Sequence, residues 1–511
     1  MRLSTNTLLA VLPVFVAAHA DHHLHARAQQ HARQVPAAAP PPPVASAAGS
    51  SSQANVVGTT SSQVAASQSS SPAVAGTSTL PAGSSAASVA GTTSSVSSAA
   101  VPSLTVQLQA TNPTAVPLAS IIPGQVSAAT HPLPSTAVAG SVPTFLSNAP
   151  PLPTITGLLA ANYPPPDRPA PTDSPEVQQW IKEVQDTGVV IPQFSPTNGI
   201  GGCANNTAAA SDASRCWWTC GGCTRSTDIT ECPTAMDWGL TYDDGPAFYT
   251  PNLLEYLDQE QLKATFFVVG SRVFYNWNML QSQYMGQHQI AVHTWSHFPL
   301  TSLTNEQIIA ELGWSRKIIK DVLGVTPNMM RPPYGDIDDR VRAISLAMGL
   351  TPVMWTRISP LATFDTDDFN IANGQTSVQQ VIQNWENIIG NATTRNSGFI
   401  VLEHDLFEQS VEVATGYILP DALGHKNPPF KIQPVIHCLN KDMTDAYIET
   451  NNNKTNPPAF QAAVSAGIVT VTGTAAGAKS TGKSAAVTSK STAGSLWSLA
   501  GLALGGLMTL P

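Results

Sequence analysis

Between Arg33 and Asp167 the chain contains no Asp, Glu, Lys or Arg. The stretch is built from Ser, Thr, Ala, Val and Pro, as in Ser69-Ser70-Ser71-Pro72 and Gly91-Thr92-Thr93-Ser94-Ser95, with few aromatic residues and no helical or strand period. Such a composition is expected to stay extended and not to pack, so deletion of Gln34–Asp167 is expected to leave any activity nearly unchanged. Basic runs and interleaved aromatic and basic residues are also missing, which argues against a nucleic-acid partner. The formal net charge of -9 belongs almost wholly to the rest of the 511 residues. No second Cys-x-x-Cys or His pair accompanies Cys220-x-x-Cys223, so half a zinc site is a weaker reading than disulfides.

The ends carry processing signals. Arg2 precedes the apolar run Leu8–Ala18 and the small-x-small site Ala18-His19-Ala20, which reads as a secretory signal peptide over 1–20. At the other end, small residues at Ser484-Ala485-Ala486, the polar spacer Val487–Ser495 and the short apolar tail Leu496–Leu510 follow the order of a glycosylphosphatidylinositol signal, with Ser484 the candidate attachment residue. A C-terminal transmembrane helix is the alternative, but the tail is shorter than the roughly 20 residues a span needs. The expected setting is secreted, at the cell wall and the outer face of the plasma membrane. Sequons at Asn205, Asn391 and Asn453 fit export. Six cysteines in such a chain are expected to pair. Cys203, Cys216, Cys220 and Cys223 crowd one Gly-rich stretch whose connectivity spacing does not fix, while Cys232 and Cys438 flank the region between them and are expected to close it.

Mixed charged and apolar sequence begins near Asp173. The expected divisions are a stalk over 21–170, a Cys-rich extension over 171–235, a main domain over 236–460, a linker over 461–495 and a tail over 496–511 that is removed. In the main domain, Leu240–Tyr242, Ala264–Val269, Gln289–Val292, Pro352–Trp355 and Phe399–Leu402 suit buried parallel strands. Helices are predicted from a capping box at Thr304 and Gln307 to a stop at Gly324, from a cap at Asp338 to Gly349, and from Ser377 to Gly390. Strand and helix in alternation give an α/β domain long enough to close toward a barrel.

Ionisable residues gather where these strands end. Thr241-Tyr242-Asp243-Asp244-Gly245-Pro246 follows the first strand, and adjacent carboxylates there are expected to point apart and serve different purposes. His293 and His297, four apart, reach one ion if the backbone makes a helical turn. Two histidines and one carboxylate leave open positions, as a catalytic metal requires. Arg331-Pro332-Pro333-Tyr334-Gly335 is a rigid loop with a charged fork, and its Tyr334 and Gly335 amides are expected to face a site. Asp365-Thr366-Asp367-Asp368-Phe369 and Leu402-Glu403-His404-Asp405 complete the series. Read singly, each has a bland alternative: a turn, a polar loop or a solvated acidic run.

In this order and spacing, the five stretches resemble the motifs of the NodB-homology polysaccharide deacetylases, the carbohydrate esterase family that includes fungal chitin deacetylases. The resemblance covers about Trp238–Asp405 and implies a distorted, partly open (β/α) barrel. It implies Asp243 as general base and Asp244, His293 and His297 as ligands of a divalent metal, zinc in preference to cobalt. It further implies Arg331 orienting Asp243, a Tyr334 amide binding an oxyanion, and His404 as general acid oriented by Asp368. Phe369 and Leu402 would wall an acetyl-methyl pocket. Phe369 stands where the family usually has Trp, and Ile358–Thr363 lengthens the approach to the fourth motif, so either Asp365 or Asp368 could match. The implied substrate is chitin or N-acetylglucosamine oligomers, with peptidoglycan and xylan as alternatives. A binding protein without activity, an iron oxygenase and a mucin-like structural protein are competing classes, and the last two leave most of these residues without a role.

Overall fold

The structure is a computed structural model and describes residues 106–124, 129–134, 137–156, 158–199, 202–359 and 362–472. The signal-peptide reading, Ser484 and the apolar tail lie outside the described residues.

Five short strands form one parallel sheet in chain order: β2 (Thr241–Asp243), β3 (Thr265–Val268), β4 (Gln289–Val292), β5 (Met329–Met330) and β6 (Thr351–Pro352). A second sheet places β1 (Asp237–Gly239) between β9 (Phe399–Ile400) and β10 (Lys431–Gln433), all parallel. β7 (Arg357–Ser359) and β8 (Ala362–Thr363) make an antiparallel hairpin, which accounts for the lengthened approach to the fourth motif. Single bonds carry the order round from β6 toward β2: Thr356 N donates to Ile400 O, Leu402 N to Phe364 O and Asp243 N to Glu403 O. The arrangement is a parallel α/β fold bent toward a barrel and left partly open.

β2, β3, β4 and β5 are buried along their whole length. That is why they read as continuous apolar runs rather than alternating ones. Helices supply the outer layer. Asn305–Leu323 begins with the capping box at Thr304 and Gln307 and ends on Gly324 in a left-handed conformation. Asp338 and Ser377 cap Asp339–Ala347 and Val378–Ala392, the latter running two residues past Gly390. The helix Pro175–Asp186, which Ser174 caps, was not among the predicted elements, although Val177, Trp180, Ile181 and Val184 stand at helical spacing. It packs where Gly313 makes room, since a Cβ there would lie 2.2 Å from the Trp180 ring.

The upstream segment differs from expectation. Ile121, Leu146, Leu152 and Ala170 are buried in the main core, and main-chain groups of this segment bond to the domain. Asn112 N donates to Gly416 O, Tyr417 Oη to Val116 O and Gln409 Nε2 to Ile122 O. Absence of charge does not prevent packing when the backbone finds partners and isolated apolar side chains find a core already built. The expectation that the segment does not pack is therefore corrected for its described part.

All six cysteines are paired: Cys203–Cys220, Cys216–Cys223 and Cys232–Cys438. Asn205 and Asn453 are exposed, and Asn391 is half-buried near a helix end.

Candidate metal centre and active site

Adjacent Asp243 and Asp244 do not point apart as a regular strand would require. Asp244 takes a left-handed φ of 79°, and Arg272 Nη1 donates to its carbonyl oxygen. The turn folds the second carboxylate back beside the first. Asp244 Oδ1 lies 3.3 Å from His293 Nε2 and 2.9 Å from His297 Nε2, while Asp243 Oδ2 is 3.9 Å from His293 Nε2. The two acids share a site but differ in partners. Asp243 Oδ1 accepts from Arg331 Nη1 at 2.8 Å.

The two histidines also converge by another route than a helical turn. Thr294 and His297 have left-handed φ values of 64° and 61°, and His297 N donates to Thr294 Oγ1 at 3.0 Å. The bend brings the imidazole rings to 4.9 Å. His293 Nδ1 lies 2.8 Å from Arg331 O. A carbonyl only accepts, so this bond fixes the proton on Nδ1 and leaves the Nε2 lone pair facing Asp244. Ligand atoms of Asp244, His293 and His297 all lie within 4.8 Å of one another. Two imidazole nitrogens and a carboxylate, buried and with one tautomer fixed from behind, suit a divalent transition metal with open positions.

Charge is balanced by a second layer. Arg331 is fully buried and also donates to Thr241 Oγ1 and Val353 O, with its guanidinium 4.2 Å over the Phe267 ring. For Asp244, burial pushes the pKa up, but His297, His293 and Arg272 outweigh it and hold the carboxyl well below its usual range. Burial likewise pushes His297 down, more than Asp244 restores.

His404 faces the same mouth. Its Nδ1 lies 2.8 Å from Asp368 Oδ1, and its backbone N donates to Asp368 Oδ2 at 3.0 Å. Asp365 instead accepts from Asp367 N, so Asp368 is the carboxylate that holds the imidazole. Burial alone would lower the His404 pKa. The Asp368 charge and hydrogen bond, with Asp244 and Asp243 beyond, outweigh burial and raise it to about 10. The Phe369 ring lies 4.9 Å from that of His404, tilted by 57°, and Leu402, two residues before His404, is buried.

Tyr334 has a left-handed φ of 60°, and its ring sits 4.8 Å from that of His297. The Gly335 amide does not face the site as expected, because it donates to Pro332 O at 3.0 Å. Only glycine fits there, since φ is 63° and a Cβ would meet Trp218 at 2.3 Å. This contact shows where the Cys-rich loop docks. Trp217 Nε1 donates to Asp336 Oδ1 at 2.7 Å and Thr219 Oγ1 to Gly335 O at 3.1 Å.

Sequence reasoning missed Arg272, Trp217, Trp218 and Glu311. Glu311 alone left a sign, as an acid between Ile308 and Leu312 on a core-facing helix. It is fully buried and accepts from Trp295 N and Ser296 N.

The chain is 49% identical over 359 residues to chitin deacetylase 1 of Cryptococcus neoformans var. grubii, covering 69% of this chain and 74% of that protein. It belongs to the polysaccharide deacetylase family. The family model, described as polysaccharide deacetylase, matches residues 230–353. The chitin deacetylase of Amylomyces rouxii is 39% identical over 239 residues, 42% of this chain and 54% of that protein. Among solved structures, the chitin deacetylase from the fungal pathogen Colletotrichum lindemuthianum is 24% identical, with a TM-score of 0.38, and covers 43% of this chain and 94% of that one. Deacetylases of this family are metal-dependent, and the Asp244, His293 and His297 cluster is where this member has the donors for an ion.

Proposed function

We propose that this protein hydrolyses the N-acetyl groups of N-acetylglucosamine units in chitin, giving chitosan and acetate, with zinc as the metal. The observation that carries the reading is one buried mouth that joins three convergent ligand side chains to an arginine-paired carboxylate and a carboxylate-paired imidazole on bridged neighbouring backbone. Three disulfides fit an oxidising, extracellular setting such as a cell wall.

Asp244, His293 and His297 would hold the ion. When bound, it supplies Lewis-acid polarisation of the acetyl carbonyl and a water acidified toward a pKa of about 7. Asp243, aimed by Arg331, takes the proton of the attacking water. The Tyr334 amide donates to the developing oxyanion. His404, held protonated by Asp368, gives its proton to the departing amine nitrogen, so that the C–N bond breaks with a neutral leaving group. Phe369 and Leu402 wall the acetyl methyl. A carboxylate base and an imidazolium acid brought to one mouth by the Asp243–His404 backbone bridge account for both proton transfers that amide hydrolysis needs. An iron oxygenase needs neither.

The test is acetate release from N-acetylglucosamine oligomers by the full chain, before chelation, after chelation and after zinc return. Activity lost and then restored supports the reading. Folded, zinc-loaded protein that releases no acetate would sink it.

A further inference from the structure

The loop between the two histidines is costly to maintain. Left-handed φ at the non-glycine residues Thr294 and His297 is strained, and such strain persists only where the surroundings over-determine it. Gly270 N and Ser271 N donate to Thr294 O and Trp295 O, and Glu311 adds its restraint from the helix Asn305–Leu323. Its Oε2 accepts from Trp295 N at 3.0 Å and Ser296 N at 2.8 Å, and its Oε1 accepts from Ser296 Oγ at 2.7 Å. The fourth donor comes from elsewhere. Ala170 N, in the segment upstream of the matched family region, donates to Oε1 at 2.9 Å.

The same segment grips the loop twice more. Pro165 O accepts from Trp295 Nε1 at 3.2 Å, and the Tyr163 ring stacks on Trp295 with centroids 5.9 Å apart and planes within 5°. Tyr163 is itself fixed, its hydroxyl donating to Asp321 at 2.6 Å. A segment merely lying over the domain would offer side-chain packing alone. Here a buried carboxylate is shared between the strained loop and the upstream main chain, through charge-assisted bonds that are worth more than neutral ones.

Taking Asp244, His293 and His297 as the metal ligands, we infer that Tyr163–Ala170 is a positioning element of the metal centre, acting on the His293–His297 loop through Glu311 and Trp295. It touches no reacting atom. It holds His297 in the one backbone conformation that aims Nε2 at Asp244, so its loss is felt first as weaker metal binding.

The experiment measures zinc dissociation constants of the full-length protein by competition with a chromophoric chelator, beside the unfolding midpoint. Variants are Glu311→Gln, Ala170→Pro and both together. Glu311→Gln sets an amide NH2 against N–H donors and should weaken zinc binding about tenfold, as loss of a residue supporting metal ligands does. Ala170→Pro removes one donor and should weaken it about threefold. The double variant should bind no more weakly than Glu311→Gln alone, because both changes act through one carboxylate. Folded single variants with parental zinc affinity overturn the inference, and so do effects that simply multiply in the double variant. If Glu311→Gln does not fold, Tyr163→Ala joins Ala170→Pro: weaker zinc binding in both supports the inference, and parental affinity in either overturns it. Should the parent bind zinc yet release no acetate, the deacetylase reading fails while the zinc constants still decide this one.

Discussion

At the mouth of the sheet, five short stretches bring ionisable side chains to one place, whereas the described segment upstream, from Val106 to Ala170, lies on the same domain with hardly a charge of its own. The mouth is held together by side-chain pairs such as Arg331 with Asp243 and His404 with Asp368. The segment is held largely by its main chain, as at Asn112, Val116 and Ile122. Chemistry needs particular side chains at particular places, so it marks a sequence. Main-chain attachment is open to almost any residue, and leaves little trace.

The contrast sharpens most at Asp244. Asp244→Ala removes one of three ligand atoms and should take both zinc and turnover down to background after dialysis. Asp243→Asn keeps the shape, and Arg331 retains Thr241 and Val353 as partners. Turnover should fall by about 10²- to 10⁴-fold, the worth of a positioned base, with zinc content near the parental value. Neighbouring residues would then fail in different ways. If Asp243→Asn lost zinc as completely as Asp244→Ala, the division of labour between them would be wrong.

How much of this was legible follows from the same physics. β3, β4 and the capped helix from Thr304 to Gly324 could be read from apolar runs and cap residues, because burial and capping act locally. The clustering of Asp244, His293 and His297 could be read from the order of motifs. What could not be read was backbone strain: nothing in Asp243-Asp244 or His293-Thr294-Trp295-Ser296-His297 announces φ values of 79°, 64° and 61°, which are held by bonds from residues distant in sequence, Arg272, Gly270, Ser271 and Glu311 among them. The upstream segment was misread because charge was used as the test of packing. Its rise in Leu, Ile and Phe from Leu118 to Leu159 was the better signal.

A smaller effect is expected in pH dependence. His404 is raised to about 10, burial being outweighed chiefly by Asp368. A group raised from its ordinary 6.5 adds stability that is complete below about pH 6.5 and lost as pH rises through about 10. A bound divalent ion opposes the share that Asp244 and Asp243 contribute, so the loaded enzyme should lose its general acid below that value. Asp368→Asn should move the alkaline limb of kcat/KM to lower pH, costing more turnover at about pH 9 than at about pH 6. An unmoved limb would mean that His404 is not the acid that this limb reports.

The smallest effect on turnover, though not on stability, is expected in the upstream segment away from Tyr163–Ala170. Leu152 is 2% exposed and part of the main core. Its backbone exchanges hydrogen bonds with Gly140 and Ser141, Gly140 N donating to Leu152 O at 2.8 Å and Leu152 N to Ser141 O at 2.9 Å. The side chain is thus anchored by a locally paired turn rather than by a helix or sheet ladder. Leu→Ala in a core costs roughly 2–5 kcal/mol, and the low end applies where the surroundings can close over the gap. An irregular segment without helix or strand partners has that freedom, so Leu152→Ala should cost about 2 kcal/mol and lower the unfolding midpoint in a single cooperative transition. Because the backbone bonds of Leu152 run to Gly140 and Ser141 and not to the metal loop or to Asp368, kcat for soluble oligomers should stay within about twofold, a change no larger than about 0.4 kcal/mol in barrier. A midpoint equal to the parent's would show that the segment melts independently of the sheet. A collapse of kcat in the folded variant would show instead that the segment shapes the mouth along more of its length than Tyr163–Ala170.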